Sequence, residues 1–245
     1  MSDNELVKHV EAAYKAMKNP QTHWIHKVKE ILVEIVIIVF AVSISIWFHN
    51  WSDSLSERKE EREFLEGMKR DLAQDLSDVS GDRATYASRL RELSYFSRVG
   101  GGVPMNADSL TAYISVFFST STPEPRVSRY EGLKASGKFG IIRNKELLNN
   151  LINLHEGNLR RVEMLDTYYY ENVIGRISTY FEENARLDPA GTRFSNVQEL
   201  VKSDRMRILT FFGMSFISGN VLLAHDSCIA RCNELNRQID QELKK

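Results

Sequence analysis

The stretch Ile31-Leu-Val-Glu-Ile-Val-Ile-Ile-Val-Phe-Ala-Val-Ser-Ile-Ser-Ile-Trp-Phe48 constrains this chain more than any other feature. Its 18 residues carry one charge, Glu34, near the start. As a helix they cover roughly 27 Å, close to the ~30 Å hydrocarbon core of a bilayer. The run is apolar on every face, unlike an amphipathic helix lying on a surface. Trp24 precedes it, and Trp47 and Trp51 close it, where interfacial aromatic belts form. A cleaved leader fits poorly, because the run ends in Trp-Phe-His-Asn-Trp with no small-x-small cleavage site. The reading is an uncleaved transmembrane helix over 31–49, with Trp24, Trp47 and Trp51 as membrane-interface residues. Glu34 lies within about one turn of the start, where it reaches the headgroups or faces a partner helix, so it is a candidate interaction residue. Ser43 and Ser45 would add polar contacts to such an interface.

Basic residues are balanced across this span. Lys8, Lys15, Lys18, Lys27 and Lys29 precede it, and Arg58, Lys59, Arg62, Lys69 and Arg70 follow. Only Lys27 and Lys29 lie within one or two turns of the hydrocarbon, which places the N-terminus in the cytoplasm. The expected location is a bacterial inner membrane, single-pass, with the C-terminal domain periplasmic. A second charge-free run, Ile208 to Ala224, contains Thr210, Gly213, Ser215, Ser218, Gly219 and Asn220, which lower its tendency to insert. It is read as a buried helix of the soluble region.

The rest of the chain carries helical signals. Residues 4–18 space apolar side chains as an amphipathic helix, and Asn19-Pro-Gln-Thr22 should end it. Beyond the charged segment Ser54–Glu63, an apolar residue recurs every seventh position: Leu65, Leu72, Val79, Tyr86 and Leu93. Met68, Leu76, Leu90 and Phe96 fall three or four residues after members of that series, which predicts a helix from about 28 to about 98 with one packed face. Gly81 and the adjoining Asp82 and Arg83 argue for a bundle helix over a strict coiled coil. Gly100-Gly-Gly-Val-Pro104 is a linker, with no GK[ST] or preceding strand to make it a phosphate cradle. Short helices are expected over 108–118, over about ten residues up to Ser136-Gly137, and near 196–202. Long ones are expected from an Asn144 cap to about 184, and from about 204 to 244. Only five prolines and 13 glycines in 245 residues agree with long elements and few turns. The expected fold class is all-α, one N-terminal transmembrane helix continuing into an elongated antiparallel helical bundle. The divisions are a cytosolic amphipathic segment over 1–30, the span over 31–49 and a soluble bundle over 50–245.

Two elements resemble a bacterial family known as a domain of unknown function. The first is Glu34-Ile-Val-Ile-Ile-Val, then His49-Asn-Trp51, then Glu57-Arg-Lys-Glu-Glu-Arg62. The second is Gly132-Leu-Lys-Ala-Ser-Gly-Lys-Phe-Gly-Ile-Ile-Arg-Asn-Lys-Glu146, followed by Leu147-Leu and Leu151-Ile-Asn. Together they cover about 31–75 and 130–157. The resemblance implies a single-pass membrane protein with a helical soluble region after the span, and no activity.

No catalytic or metal motif emerges from the residues. The formal net charge of -1 gives no whole-chain basic field for nucleic acid. His23 and His26, three apart, lack companion ligands, and His155-Glu156 lacks the second histidine of a zinc-protease helix. Cys228 and Cys232 share a helix face without a third ligand, and are read as small buried apolar residues. No GxSxG, Walker or dinucleotide motif is present. The expectation is therefore no enzyme, no catalytic residue, no metal and no cofactor. Partners would be the lipid bilayer and either a second copy or another membrane protein. The function expected is that of a membrane-anchored adaptor or structural protein, with a sensor that passes a stimulus through its span as the alternative. In the segment Tyr130–Asn144, Gly137 is expected at a left-handed helix end, with Phe139, Ile141 and Ile142 plugging the end of the core. Lys134, Lys138 and Arg143 form a basic rim and are candidate interaction residues.

Overall fold

A computed structural model describes residues 20–104, 113–119, 121 and 125–245, with the backbone alone for 20–27. The amphipathic helix expected over 4–18, the start of the helix expected from 108, and the side chains of Trp24 and Lys27 lie outside the described residues. Every regular element among the described residues is helical, as expected of an all-α chain, and an isolated bridge joins Leu187 to Phe194. The chain divides into two compact units, Met1–Lys59 and Glu60–Lys245.

Helix α1, Pro20–Gly100, contributes to both units. It begins at Pro20, ahead of the start expected at about 28, since proline's fixed φ is tolerated in a first helical turn, and the end expected for the 4–18 helix lies outside the described residues. In the first unit the large apolar side chains from Ile31 to Phe48 are 48–66% exposed. Two helices carry a window long and apolar enough to cross a membrane. None of that window is buried in Val28–Gly100, whereas 39% of it is buried in Asp204–Glu242.

In the second unit, residues 60–100 of α1 place Leu65, Leu72, Val79, Tyr86 and Leu93 at 2% exposure or less. The seven-residue repeat is therefore the packed seam. Helix α2, Ser128–Ala135, follows a 3-10 turn at Ile114–Phe117. Helix α3 runs over 145–184, capped by Asn144, whose side chain accepts from the Glu146 and Leu147 amides at 3.1 Å. Helix α4 is Val197–Lys202 and α5 is Asp204–Glu242, opened by the Ser203 hydroxyl accepting from the Met206 amide. Wider π turns interrupt α3 at Asn153–Leu159 and Tyr170–Ile174, and α5 at Ile217–Val221. They have a sequence cause. Core residues there recur every fourth position, as in Tyr169, Val173, Ile177 and Phe181, or Gly213, Ile217 and Val221. At about 100° per residue, each four-residue step rotates the stripe by about 40°, and a wider turn restores it to one face.

Directions follow from cross-helix pairs. Lys69 meets Asp240, Arg83 meets Asp226, and Gly100 lies against Arg207, so α5 runs antiparallel to α1. Asn150 pairs with Gln238 and Tyr180 with Ser203, so α5 is antiparallel to α3 as well. The expected antiparallel order fails between α1 and α3. Glu61 meets Arg143 and Tyr86 meets Tyr169, so those two helices run parallel. The reason is the connector. The described residues of the connector touch α1 progressively nearer its start, Phe117 at Phe96, Ser121 at Asp82, Arg126 at Asp75 and Asp78, Arg129 at Asp71, and Lys138 at Glu60.

The corner at the end of α2 has the expected backbone. Gly137 has φ +67°, and its amide donates to the Lys134 carbonyl at 3.1 Å. Ile142 is fully buried, and Phe139 and Ile141 pack partly against the same core. A Cβ at Gly137 would meet no atom within 4 Å, so the left-handed backbone alone penalises substitution there. Gly137→Val is expected to cost roughly 1–2 kcal/mol and lower the melting temperature by several degrees. Gly140→Val, with equal space and no positive φ, is the control, and equal melting of the two variants would refute the strain argument.

Candidate functional site

Trp47 and Trp51 stack one turn apart, with ring centroids 6.3 Å apart and planes 3° from parallel. Phe48 adds a tilted contact to Trp51 at 5.6 Å, and His49 lies 3.3 Å from Asp53. The aromatic cluster thus sits where the apolar run gives way to charge. Glu34 is exposed on α1 one turn inside the run. The Ser45 hydroxyl is spent on the Ala41 carbonyl at 2.9 Å.

The basic rim is brought together with acids from its own unit. The Lys134 ammonium donates to Glu156, which also accepts the Tyr130 hydroxyl at 3.0 Å. This pairing holds the Glu156 carboxyl below its usual range, chiefly through Lys134. Lys138 donates to Glu60 at 2.6 Å. The Arg143 amide donates to Glu61 at 2.8 Å, with its guanidinium 4.0 Å from the same carboxylate. All three side chains remain 39–54% exposed. The rim therefore ties α2, the corner and α3 to α1 and to each other. Beneath it, His155 stacks on Tyr130 at 4.3 Å, and burial pushes its pKa down to about 4.

Sequence reasoning missed a third group, a polar layer deep in the second unit. The series Met68, Asp75, Asp82, Arg89 and Phe96 recurs at seven-residue spacing, the second seam position of α1. Its central three members are charged. Asp75 is 1% and Arg89 5% exposed, while Leu76 and Leu90, the apolar residues expected there, flank the seam half-buried. The signal was the strict repeat itself, overlooked because apolar neighbours stood one position later.

Tyr86 lies at the middle of this layer. It packs edge-on to Tyr169 of α3 at 5.5 Å and against His225 of α5 at 5.5 Å, with the Arg89 guanidinium 5.0 Å from its ring centre. Its hydroxyl donates to the Ser121 carbonyl at 3.2 Å. The Ser121 hydroxyl in turn donates to Asp82. The His225 Nδ1–H donates to the Val221 carbonyl at 2.8 Å, which fixes the tautomer and leaves Nε2 as a buried acceptor without a partner. Burial pushes the His225 pKa down and that of the Tyr169 hydroxyl up to about 12. Asp166 of α3 is fully buried, with the Tyr86 hydroxyl as its polar neighbour. Burial raises its pKa to about 7, opposed by the Tyr86 hydroxyl and Arg89 and reinforced by Asp82. A buried carboxyl in this setting holds or releases one proton near neutral pH. Cys228 and Cys232, one and two turns beyond His225, are free thiols at 0% exposure, and their mutual contact raises the Cys232 pKa. Among the described residues no three His, Cys, Asp or Glu side chains are grouped to hold a metal ion.

Compared with protein-family models, curated proteins and solved structures, the chain matches none.

Proposed function

We propose that this protein is a membrane-anchored adaptor or structural protein without enzymatic activity. Residues 31–49 cross a bacterial inner membrane once, the N-terminus is cytoplasmic, and the soluble helices after the span form a periplasmic bundle. It acts by self-association or by holding a partner in a membrane complex. The observation that carries this reading is the uncovered apolar surface of α1. Fourteen large apolar side chains between Ile31 and Phe48 lie exposed, with no charge after Glu34. Taking each out of water is worth about 1.5–3 kcal/mol, so leaving the whole stretch in water forfeits tens of kcal/mol. A bilayer covers all faces of such a helix at once. The resemblance of residues 31–75 and 130–157 to a single-pass family agrees with it.

The topology is tested by labelling. With Cys228 and Cys232 replaced by Ala, a cysteine at exposed Lys244 is expected to react with a membrane-impermeant thiol reagent in intact spheroplasts. A cysteine at Ser2 is expected to react only after lysis. The reverse pattern overturns the orientation, and labelling of neither site before lysis overturns the crossing.

The sensor reading is favoured by one observation, the buried Asp166 with a pKa of about 7 packed against α1. A proton taken up there would act on a helix that runs unbroken from Pro20 to Gly100.

A further inference from the structure

Residues 208–224 carry no charge, yet a helix packed on one side needs only one apolar face. The expectation that this run is buried holds for half of it. Leu209, Gly213, Ile217 and Val221 are in the core, and the opposite side faces outward. On that side Ile208, Phe211, Phe212 and Leu223 are 52–64% exposed, with Ser215, Ser218 and Gly219 exposed between them. Their exposure, against the buried Leu209, Gly213, Ile217 and Val221, places these positions together on the outward side of α5. Helix α3 extends the patch, since Tyr168 stacks on Phe216 at 4.9 Å and is itself 49% exposed, and Met164 is 60% exposed. A side chain half exposed offers on the order of 100 Å², so the six large ones offer about 600 Å². That is at the top of what a monomer ordinarily leaves bare and most of the ~800 Å² per partner of a standard interface.

The order of side-chain sizes along the face indicates what covers it. Phe211 and Phe212 are large, Ser215 is small, and Ser218 and Gly219 are small. Turned end for end about Ser215, Phe211 falls opposite Gly219 and Phe212 opposite Ser218. Gly219 leaves an open notch, where an added Cβ would meet nothing within 4 Å. We infer that a second copy of this chain docks here. The two α5 helices cross antiparallel on a two-fold axis at Ser215, and the phenylalanines of each copy seat on the Ser218–Gly219 notch of the other. A two-fold interface uses the same patch on both copies, which is the self-complementarity this face has. Along α5 the face carries no charge, as the centres of stable interfaces do not, and Arg176 of α3 borders it beside Phe212. The inference rests on the adaptor reading and names the surface through which it would self-associate.

The test uses the full chain in native membranes with Cys228 and Cys232 replaced by Ala. Ser215→Cys is expected to yield a disulfide-linked dimer on mild oxidation. Gly157→Cys, exposed on α3 outside the patch, is expected to yield at least ten-fold less. Adding Gly219→Phe puts a large ring at this exposed position, where a Cβ meets no atom within 4 Å, so it should leave melting unchanged and reduce the Ser215→Cys dimer at least ten-fold. Equal dimer from both cysteines, no dimer from Ser215→Cys, or no effect of Gly219→Phe would overturn the inference. So would a Ser215→Cys thiol that is shielded from an impermeant maleimide yet never cross-links, which would assign the face to lipid or another protein. Retention after an alkaline wash is scored on the same samples. A chain that washes off yet dimerises refutes the anchor alone, and one that stays without dimerising refutes the dimer alone.

Discussion

Asp166→Asn is expected to remove much of the pH dependence of stability and to stabilise the protein above pH 7. Asp166 titrates at about 7 in the fold against 3.8 in the open chain. Between those values the unfolded chain has released the proton and the folded chain still holds it, so stability falls as pH rises from about 4 to about 7 and then levels. Three pKa units correspond to a difference on the order of 4 kcal/mol. The amide removes that penalty but brings buried donors of its own, which cost about 1–3 kcal/mol if unpaired. A net gain of about 1–3 kcal/mol at pH 8 follows, several degrees in melting temperature. The charged and titratable groups around the site are Asp82, Tyr86 and Arg89 of α1, Tyr169 of α3 itself, and His225 of α5. The histidines act with the opposite sign. The lowered pKa values of His155 and His225 mean that below about 6.5 the unfolded chain takes up protons that the folded chain does not, so both histidines destabilise in acid in both proteins. Subtracting the melting curves of wild type and variant from pH 4.5 to 8.5 isolates the Asp166 contribution. Parallel curves across that range would show that the carboxyl is not protonated as its burial requires.

Ile38→Arg combined with Val42→Arg is expected to release the chain from the membrane. Each arginine near the middle of a span costs about 2.5–3.5 kcal/mol of insertion, so the pair costs about 5–7 kcal/mol. Both positions are more than half exposed on α1 outside the second unit, so its core should be untouched. The readout is the fraction of protein left in the pellet after an alkaline wash, with Ser56→Arg beyond the span as the control. Unchanged retention of the double variant would refute the anchor.

Local features of the fold were legible in the residues. The repeat through Leu65, Leu72, Val79, Tyr86 and Leu93, the Asn144 cap and the left-handed Gly137 are each decided within a turn or two of helix, where spacing and backbone sterics act directly. The apolar run from Ile31 to Phe48 is likewise complete in itself. What α1 and α3 do relative to one another was not legible. Their parallel course depends on a connector that returns along α1 through ion pairs between residues 48 to 78 positions apart in sequence, and no local periodicity encodes such pairings. The same distance hid the acids that hold Lys134, Lys138 and Arg143, which the sequence presents as a free basic rim. It hid too the burial of Asp75, Arg89 and Asp166, because a charged residue on a seam reads as solvent-facing until neighbouring helices close over it. The charge-free stretch 208–224 divides along the same line. Its composition alone left it without charge on any side, but only the packing of α5 decided that one face meets the core and the other lies exposed.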